Sequence, residues 1–273
     1  MSSSGRADVL PSQLLELAVA AAREAADLVA RGRDGAGEHV GTKSSPVDVV
    51  TAVDAASEAL LVDRLLGARP DDGVLGEEGA SRDGTSGVRW VVDPIDGTVN
   101  FLYDLPAYAV SVAAEVDGVV RAGVVLNVAT GELFTATSGG GAWLAAPGRP
   151  VRRLAVTGPS ALDRTLVGTG FGYRAEQRRA QGEVVARLLP RVRDIRRYGS
   201  AALDLCAVAA GRLDAYYELG LNPWDHAAGA LVAAEAGAVV AGLPGTSPGD
   251  PMVIAAAPAV AEEFLDLVAE LHR

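Results

Sequence analysis

The stretch Trp90-Val91-Val92-Asp93-Pro94-Ile95-Asp96-Gly97-Thr98-Val99-Asn100-Phe101 decides how the rest of this sequence is interpreted. Its apolar start predicts a buried strand, and Asp93-Pro94 predicts a turn at the end of that strand. The turn brings Asp96 back towards Asp93, and like charges held that close repel unless a cation lies between them. Hard carboxylate oxygens suit Mg²⁺, which binds a few carboxylates together with water and substrate phosphate. The alternative interpretation of Asp93-Pro94-Ile95-Asp96 is an ordinary capped turn without a metal.

Neighbouring residues and two further acidic motifs favour the metal hypothesis. Gly97 and Thr98 resemble the start of a short helix, whose backbone N–H groups would bind an anion beside the metal. Gly76-Glu77-Glu78-Gly79 places adjacent carboxylates at a predicted strand end, and Asn222-Pro223-Trp224-Asp225 places an acid where a helix starts. The alternatives are a solvated loop for Glu77 and a helix N-cap for Asp225.

The composition is that of an acidic, folded chain. Its 273 residues allow one large domain or two modest ones, and a hydrophobic share of 49% is enough to bury a core. The formal net charge of −11 argues against nucleic-acid binding. The same charge would repel a phosphorylated substrate unless divalent cations invert the local field. Cys206 is the only cysteine, which excludes an intrachain disulfide and favours a reducing cytoplasm.

The first residues predict no targeting segment. Met-Ser-Ser-Ser-Gly-Arg is not followed by an apolar core of the signal-peptide type, and the apolar residues 14–22 carry Glu16 and run into Arg23. We therefore expect a cytoplasmic protein without a transmembrane span or a membrane partner.

Periodicity in the first part of the chain predicts helices and then an antiparallel sheet. Residues 11–31 and 52–66 have helical spacing, with a loop predicted at 32–46. Asp117-Gly118 between the apolar runs 109–116 and 119–128 predicts a type I′ hairpin. A third strand is predicted at 132–137, and Gly139-Gly140-Gly141 is predicted to end this meander.

In the second part of the chain, strands alternate with helices. Pro147-Gly148-Arg149-Pro150 is typical of a linker, so we predict an α+β half at 1–150 and an α/β half at 151–273. The predicted strands are 165–168, 214–217, 238–240 and 252–255, and the predicted helices are 176–190, 201–211, 225–236 and 258–272.

Taken together, the motifs resemble the inositol monophosphatase family, a branch of the Mg²⁺-dependent, lithium-sensitive phosphatases. The resemblance runs in unbroken order from about residue 43 to residue 240, over segments 43–54, 76–78, 93–101, 198–204, 217–218 and 224–229. It implies a layered αβαβα sugar-phosphatase fold and a homodimer. It also implies hydrolysis of a small phosphorylated polyol, myo-inositol monophosphate, to inositol and phosphate.

The resemblance further implies which residues bind metal. One Mg²⁺ would be held by Glu77, Asp93 and the Ile95 carbonyl, and a second by Asp93, Asp96 and Asp225. A third, looser ion would share Glu77, so two or three ions are expected in each site. Hydrolysis by a metal-activated water needs no covalent nucleophile, which agrees with the absence of a recognisable catalytic triad.

Catalytic and substrate-binding roles are carried over in the same way. Thr98, hydrogen-bonded to Asp54, would orient the water for in-line attack, with Glu77 as the third catalytic residue. Backbone N–H groups of Gly97 and Thr98 would hold the phosphate. The residues implied to face the alcohol portion of the substrate are Asp96, Ala201, Glu218 and Asp225. Glu78 is expected behind Glu77, without binding metal itself.

Alternatives within and outside the family remain. Related enzymes hydrolyse fructose 1,6-bisphosphate, histidinol phosphate, nucleotide-linked phosphates or NADP. The nucleotide-phosphate branch usually shows Asp-Gly-Thr-Lys-Glu-Phe where this chain has Asp96–Phe101 as Asp-Gly-Thr-Val-Asn-Phe. The segment Gly168-Thr169-Gly170-Phe171-Gly172 resembles a bacterial segment that often has Pro at its last position. A hypothesis of another class is a non-catalytic regulatory scaffold.

Basic residues have two interpretations. Lys43 either approaches the metal site and substrate or is a solvated lysine in the predicted loop. The arginine-rich stretch Arg174–Arg197 is interpreted as a solvated helix face and loop, in preference to a phosphate- or partner-binding patch.

Overall fold

The computed structural model describes residues 10–33, 40–42 and 49–273. The helices in these residues are α1 (Pro11–Gly32), α2 (Ala52–Ala68), α3 (Thr98–Tyr103), α4 (Ala175–Leu188), α5 (Ala201–Ala209), α6 (Pro223–Glu235) and α7 (Pro258–Leu271). The strands are β1 (Val40–Thr42), β2 (Val49–Thr51), β3 (Gly73–Gly76), β4 (Ser81–Arg82), β5 (Val88–Asp96), β6 (Ala109–Val116), β7 (Val119–Asn127), β8 (Leu133–Thr137), β9 (Gly141–Ala145), β10 (Arg152–Arg153), β11 (Leu166–Thr169), β12 (Asp194–Arg196), β13 (Ala215–Leu219), β14 (Val239–Ala241) and β15 (Met252–Ala256). Among the described residues, no helix is both long and apolar enough to span a membrane.

The first sheet has eight strands in the order β10-β9-β8-β7-β6-β5-β3-β4. Neighbouring strands are antiparallel except β3 and β5, which are parallel. The predicted hairpin is confirmed: Asp117 and Gly118 have φ angles of 50° and 79°, in the left-handed region that a type I′ turn requires. The prediction that Gly139-Gly140-Gly141 ends the meander is wrong, because Gly141 begins β9 and the sheet continues to β10.

The second sheet has five strands in the order β12-β11-β13-β15-β14. β11 is parallel to β12 and β13, while β15 is antiparallel to β13 and β14. The four predicted strands are confirmed within two residues as β11, β13, β14 and β15. The charged segment Asp194–Arg196 was not predicted as a strand; it forms the edge strand β12, which is only half-buried and shows no apolar pattern.

The predicted loop at 32–46 is only partly tested. Gly32 belongs to α1, and Val40–Thr42 forms β1, which pairs with β2, so the loop prediction is wrong at these positions. Residues 34–39 and 43–46, including Lys43, lie outside the described residues.

Five layers alternate through the fold, as the resemblance implies. α1 and α2 cover one face of the first sheet, and α5 and α6 lie between the two sheets. α4 and α7 cover the outer face of the second sheet. This arrangement confirms the αβαβα architecture. The division into halves near residue 150 stays a prediction.

Period-two alternation along the strands builds the apolar cores between these layers. On β15, Met252 and Ile254 pack towards α7, whereas Val253 and Ala255 pack towards α5. Buried strands that contact helices on both faces have no polar side, and therefore appear in the sequence as continuous apolar runs.

The middle layer is closely packed because small residues meet there. Gly229 of α6 lies against α5 so tightly that an added Cβ would fall 3.0 Å from the Ala202 carbonyl oxygen and from the Leu205 Cβ. By contrast, Gly182 of α4 is exposed and an added Cβ there would have no neighbour within 4 Å. The two helical glycines therefore differ in packing but share a backbone conformation.

We predict that Gly229→Val lowers the free energy of unfolding by about 1–3 kcal/mol, since extra methyl groups overpack the α5–α6 contact. The matched variant Gly182→Val is expected to change it by less than about 0.5 kcal/mol. Urea denaturation of both variants measures the difference. Equal effects at the two positions would contradict the close packing of this layer.

Candidate active site

A cavity of about 490 Å³ opens where β5 ends, between the first sheet and the second. Residues nominated from the sequence that line it are Glu77, Asp93, Ile95, Asp96, Gly97, Thr98, Ala201, Glu218 and Asp225. Asp54 is fully buried behind this wall and reaches it through Thr98. The fold thus brings together residues from widely separated segments of the chain.

The two carboxylates of β5 are presented by an irregular strand end. The predicted turn at Asp93-Pro94 is wrong, because β5 continues to Asp96 with a shift in its pairing to β6 between these two aspartates. Pro94 has no N–H to donate to a neighbouring strand, and such a β-bulge re-aims the side chains around it. The Ile95 N–H donates to Asp93 Oδ1 at 3.0 Å, which fixes that carboxylate.

Asp96 connects the first sheet to the middle helical layer. Its Oδ2 accepts hydrogen bonds from Ser200 Oγ at 2.6 Å and from the Ala202 N–H at 2.7 Å. Ser200 is the N-cap of α5, so the carboxylate lies at the start of that helix. Nearby, Asn100 Nδ2 donates to the Tyr198 carbonyl at 2.7 Å and makes a second link between the same segments.

Thr98 and Asp54 form the pair that the resemblance implies. Thr98 Oγ1 lies 3.1 Å from Asp54 Oδ1 and 3.1 Å from the Ile95 carbonyl oxygen. Asp54 is held by the capping box of α2, in which its Oδ2 accepts the Thr51 N–H at 2.9 Å and the Thr51 hydroxyl. The buried carboxylate is therefore fixed before any ligand enters the cavity.

The loop that carries Glu77 is shaped by a residue that sequence reasoning missed. Glu58 of α2 is buried, and its carboxylate accepts the Glu78 N–H at 2.7 Å and the Ala80 N–H at 2.9 Å. The spacing of Glu58 four residues after Asp54 places both acids on one helix face, a signal that was available in the sequence.

Asp225 lines the cavity from the first turn of α6. It is not the N-cap, since that position belongs to Asn222, whose N–H donates to Asp225 Oδ2 at 2.6 Å. The Asp225 carboxylate therefore both belongs to the capping box of α6 and lines the cavity.

Burial and mutual repulsion raise the pKa of several of these acids. The pKa of Asp93 is raised by burial, then by the charges of Glu77, Asp96 and Asp225. Burial raises the pKa of Asp96 from 3.8 to about 7, although the hydrogen bonds from Ser200 and Ala202 oppose this change. The pKa of Asp225 is raised by burial and by Asp96.

The donor set fits a hard divalent cation. Carboxylate and carbonyl oxygens face the cavity, and like charges gathered there are stabilised by a positive ion. Within the described residues, no three His, Cys, Asp or Glu side chains form a ready-made metal cluster. Mg²⁺ keeps several waters and takes substrate oxygens, so an open wall of carboxylates suits it better than a closed protein cage.

The outer wall of the cavity was not predicted as part of the site. It includes Phe171, Tyr173, Gln177 and Arg197, and the Arg197 guanidinium lies 5.9 Å from the centre of the Phe171 ring. The sequence carried a partial signal for this wall. Arg174 and Arg197 are the first and last residues of the arginine-rich stretch, and both line the cavity. Other arginines of the stretch, Arg178, Arg187, Arg191 and Arg196, instead bond to groups of this chain.

An acidic cavity at the end of β5 within a five-layer αβαβα fold is the arrangement expected of a sugar-phosphatase-type hydrolase. The model of the inositol monophosphatase family matches residues 10–273, and the chain belongs to this family of phosphatases.

Curated relatives cover nearly the same length. The inositol-1-monophosphatase SuhB of Mycobacterium tuberculosis (strain H37Rv) is 50% identical, over 95% of this chain and 94% of that protein. The Nus factor SuhB of Escherichia coli (strain K12) is 41% identical, over 85% of this chain and 86% of that protein.

Solved structures agree with these relatives. The Mycobacterium tuberculosis SuhB structure has a TM-score of 0.83 at 47% identity, covering 97% of this chain and 98% of that chain. A structure of SaIMPase-II with bound inositol monophosphate has a TM-score of 0.76 at 29% identity, covering 94% of this chain and 95% of that chain.

We predict that the metal-free protein loses stability as the pH rises. The pKa of Asp96 is raised to about 7, so between 3.8 and 7 the folded state holds a proton that the unfolded chain has released. The free energy of unfolding therefore falls through this window. The fall between pH 5 and pH 8 is expected to be on the order of 1–3 kcal/mol and to belong to the interacting acids together.

Urea denaturation in EDTA across this pH range measures the effect. Asp96→Asn keeps the acceptor for Ser200 and Ala202 but removes the charge, so its pH dependence should be smaller. Asp63→Asn, on the exposed side of α2, is the charge-matched control and should follow the parent protein. A parent protein that becomes more stable from pH 5 to pH 8 would contradict the raised pKa values of these buried acids.

Proposed function

We propose that this phosphatase is a Mg²⁺-dependent phosphomonoesterase that hydrolyses myo-inositol monophosphate to inositol and phosphate. The observation that carries the proposal is the shared cavity. Its wall holds five carboxylates, that of Glu218 among them, and Thr98, which is hydrogen-bonded to the buried Asp54. The similar structure solved with inositol monophosphate supports the substrate class.

The family is generally metal-dependent, and the carboxylates of this chain divide into two overlapping ligand sets. Glu77, Asp93 and the Ile95 carbonyl would hold one Mg²⁺, and Asp93, Asp96 and Asp225 a second. A third ion would share Glu77. When bound, the ions neutralise phosphate charge and lower the pKa of water, which provides a nucleophile at neutral pH.

Thr98 and Asp54 would direct the attack. The Thr98 hydroxyl has one proton, and Asp54 Oδ1 at 3.1 Å is an acceptor for it. With that proton turned towards Asp54, the Thr98 oxygen accepts a hydrogen bond from the attacking water and holds it in line with the phosphorus. Positioning of this kind accounts for much of the catalysis of phosphoryl transfer.

The phosphate and the alcohol would contact different parts of the wall. Gly97 has a φ of 97°, and an added Cβ would fall 2.8 Å from the Ala107 carbonyl oxygen, so this position favours glycine. Its N–H and that of Thr98 would bind phosphate oxygens. Asp96, Ala201, Glu218 and Asp225 would face the inositol, whose hydroxyl groups are donors for carboxylate oxygens.

The remaining traits follow from the family resemblance and the composition. We propose a lithium-sensitive, cytoplasmic homodimer that does not bind nucleic acid in general. The net charge of −11 supports the last point, and a single cysteine, which permits no intrachain disulfide, is consistent with a reducing compartment. A monomer mass in light scattering at micromolar concentration would contradict the dimer.

We predict that Asp93→Asn abolishes turnover, because Asp93 belongs to both proposed ligand sets. Phosphate release is measured from inositol 1-phosphate with Mg²⁺, with EDTA and with added Li⁺, and Mg²⁺ binding is followed by calorimetry. Release should require Mg²⁺ and fall with Li⁺, and Asp93→Asn should also weaken Mg²⁺ binding. Asp63→Asn should match the parent protein. Near-native activity of Asp93→Asn would reject the site assignment.

The same assay separates the alternative substrates. Fructose 1,6-bisphosphate, histidinol phosphate, NADP and adenosine 3′,5′-bisphosphate are compared under identical conditions. Preference for one of them would keep the metal site and change the substrate. No release from any of them would reject the phosphatase proposal for these substrates.

A regulatory role is the second candidate, favoured by the similarity to the Nus factor SuhB of Escherichia coli. If residues 174–197 bind a protein partner, replacement of the exposed Arg179 and Arg193 by Ala should abolish its recovery in pull-downs, whereas Asp93→Asn should not. Recovery that follows phosphatase activity instead would contradict a separate function.

A further inference from the structure

The Gly168–Gly172 segment, unexplained by the metal site, lies against the residue proposed to recognise inositol. β11 and β13 are parallel neighbours, and their register places Gly168 opposite Tyr216. Further along, Gly170 lies against Glu218, because an added Cβ at Gly170 would collide with all three carboxylate atoms. The small residue just past the end of β11 thus makes room for the acidic side chain on β13.

Tyr216 forms a hydrogen bond with the same carboxylate. Its ring is fully buried, and its hydroxyl donates to Glu218 Oε2 at 2.6 Å. Since Tyr216 and Glu218 are two residues apart on one strand, both side chains lie on the same sheet face. Among the described residues no hydrogen bond to Glu218 Oε1 is seen, so this oxygen is available at the cavity wall.

The surroundings favour one orientation of Glu218. Arg197, which also lines the cavity, attracts its charge, whereas Asp96 and Asp204 repel it. The hydrogen bond from the Tyr216 hydroxyl and the close approach of Gly170 restrict the Glu218 carboxylate, and Glu218 lines the cavity. A charge-assisted hydrogen bond from a buried donor is well suited to this role.

We propose that Tyr216 and Gly170 are positioning residues that fix the Glu218 carboxylate and so determine affinity for the hydroxyl-bearing part of the substrate. This inference rests on the proposed function, since it requires that Glu218 contacts the substrate alcohol. A fixed acceptor binds a substrate hydroxyl without first losing rotamer freedom, so its benefit is expected in KM rather than in kcat.

Tyr216→Phe removes the hydroxyl and keeps the ring in its place. We expect KM for inositol 1-phosphate to rise about tenfold, the value of one hydrogen bond to a charged group, with kcat changed by less than about twofold. Tyr217→Phe is the matched control, because the adjacent Tyr217 packs on the opposite face against Phe264 and His272. This control should keep the parental KM.

A double-mutant cycle separates positioning from general loss of structure. In a Glu218→Ala background, Tyr216→Phe should cause no further rise in KM, because the hydroxyl then has no carboxylate to hold. Gly170→Ala should reproduce the KM effect of Tyr216→Phe by displacing Glu218, and it supplies the test if the tyrosine variant does not fold.

Each outcome decides a separate question. A parent protein that does not hydrolyse inositol 1-phosphate rejects the proposed function. An active parent whose KM is unchanged by Tyr216→Phe rejects this inference alone. Equal losses in the presence and absence of Glu218, or a fall in kcat without a change in KM, also overturn it.

Discussion

Hydrogen bonds from the start of α5 to the Asp96 carboxylate join the first sheet to the middle helical layer at the site itself, and α5 in turn packs against the second sheet. Ser200 and Ala202 both donate to Oδ2, while the rest of the side chain faces the cavity. This junction lies beside the cavity that residues of the first sheet and residues after α5 surround together. The closely packed middle layer, with Gly229 against α5, keeps the junction in place.

The acids gathered at this junction lower the stability of the metal-free fold. Burial of acids beside one another raises the pKa of Asp93, Asp96 and Asp225, so the metal-free fold is destabilised at neutral pH. A purely structural site would replace such a cluster with apolar side chains. Retention of the acids is typical of functional sites, where stability is lost in exchange for an arrangement that binds cations and phosphate.

Supporting residues around the cavity follow one pattern. Glu58 holds the loop of Glu77 through backbone N–H groups, the α2 capping box holds Asp54, and Tyr216 holds Glu218. In each case a buried residue fixes either a group at the cavity wall or the residue directly behind it. Preorganisation of this kind lowers the conformational entropy that a ligand must remove when it binds.

Local patterns determined much of the fold without any tertiary information. The Asp117-Gly118 turn, the strands of the second half and the long helices follow from short-range conformational preferences and apolar periodicity. The ordered acidic motifs also indicated the family, and the residues nominated from them surround one cavity. Their individual catalytic roles stay predictions.

Where local sequence signals compete with pairing between distant strands, only the tertiary structure decided which elements form. β5 continues past Pro94 because its pairing to β6 resumes at Asp96, and the Gly139–Gly141 turn leads into β9 because β8 offers a free edge. The edge strand β12 forms on backbone pairing with β11 despite its charged residues. Contacts such as Tyr216–Glu218 beside Gly170 depend on the register between strands, which no single segment encodes, since register is set by pairing across the sheet.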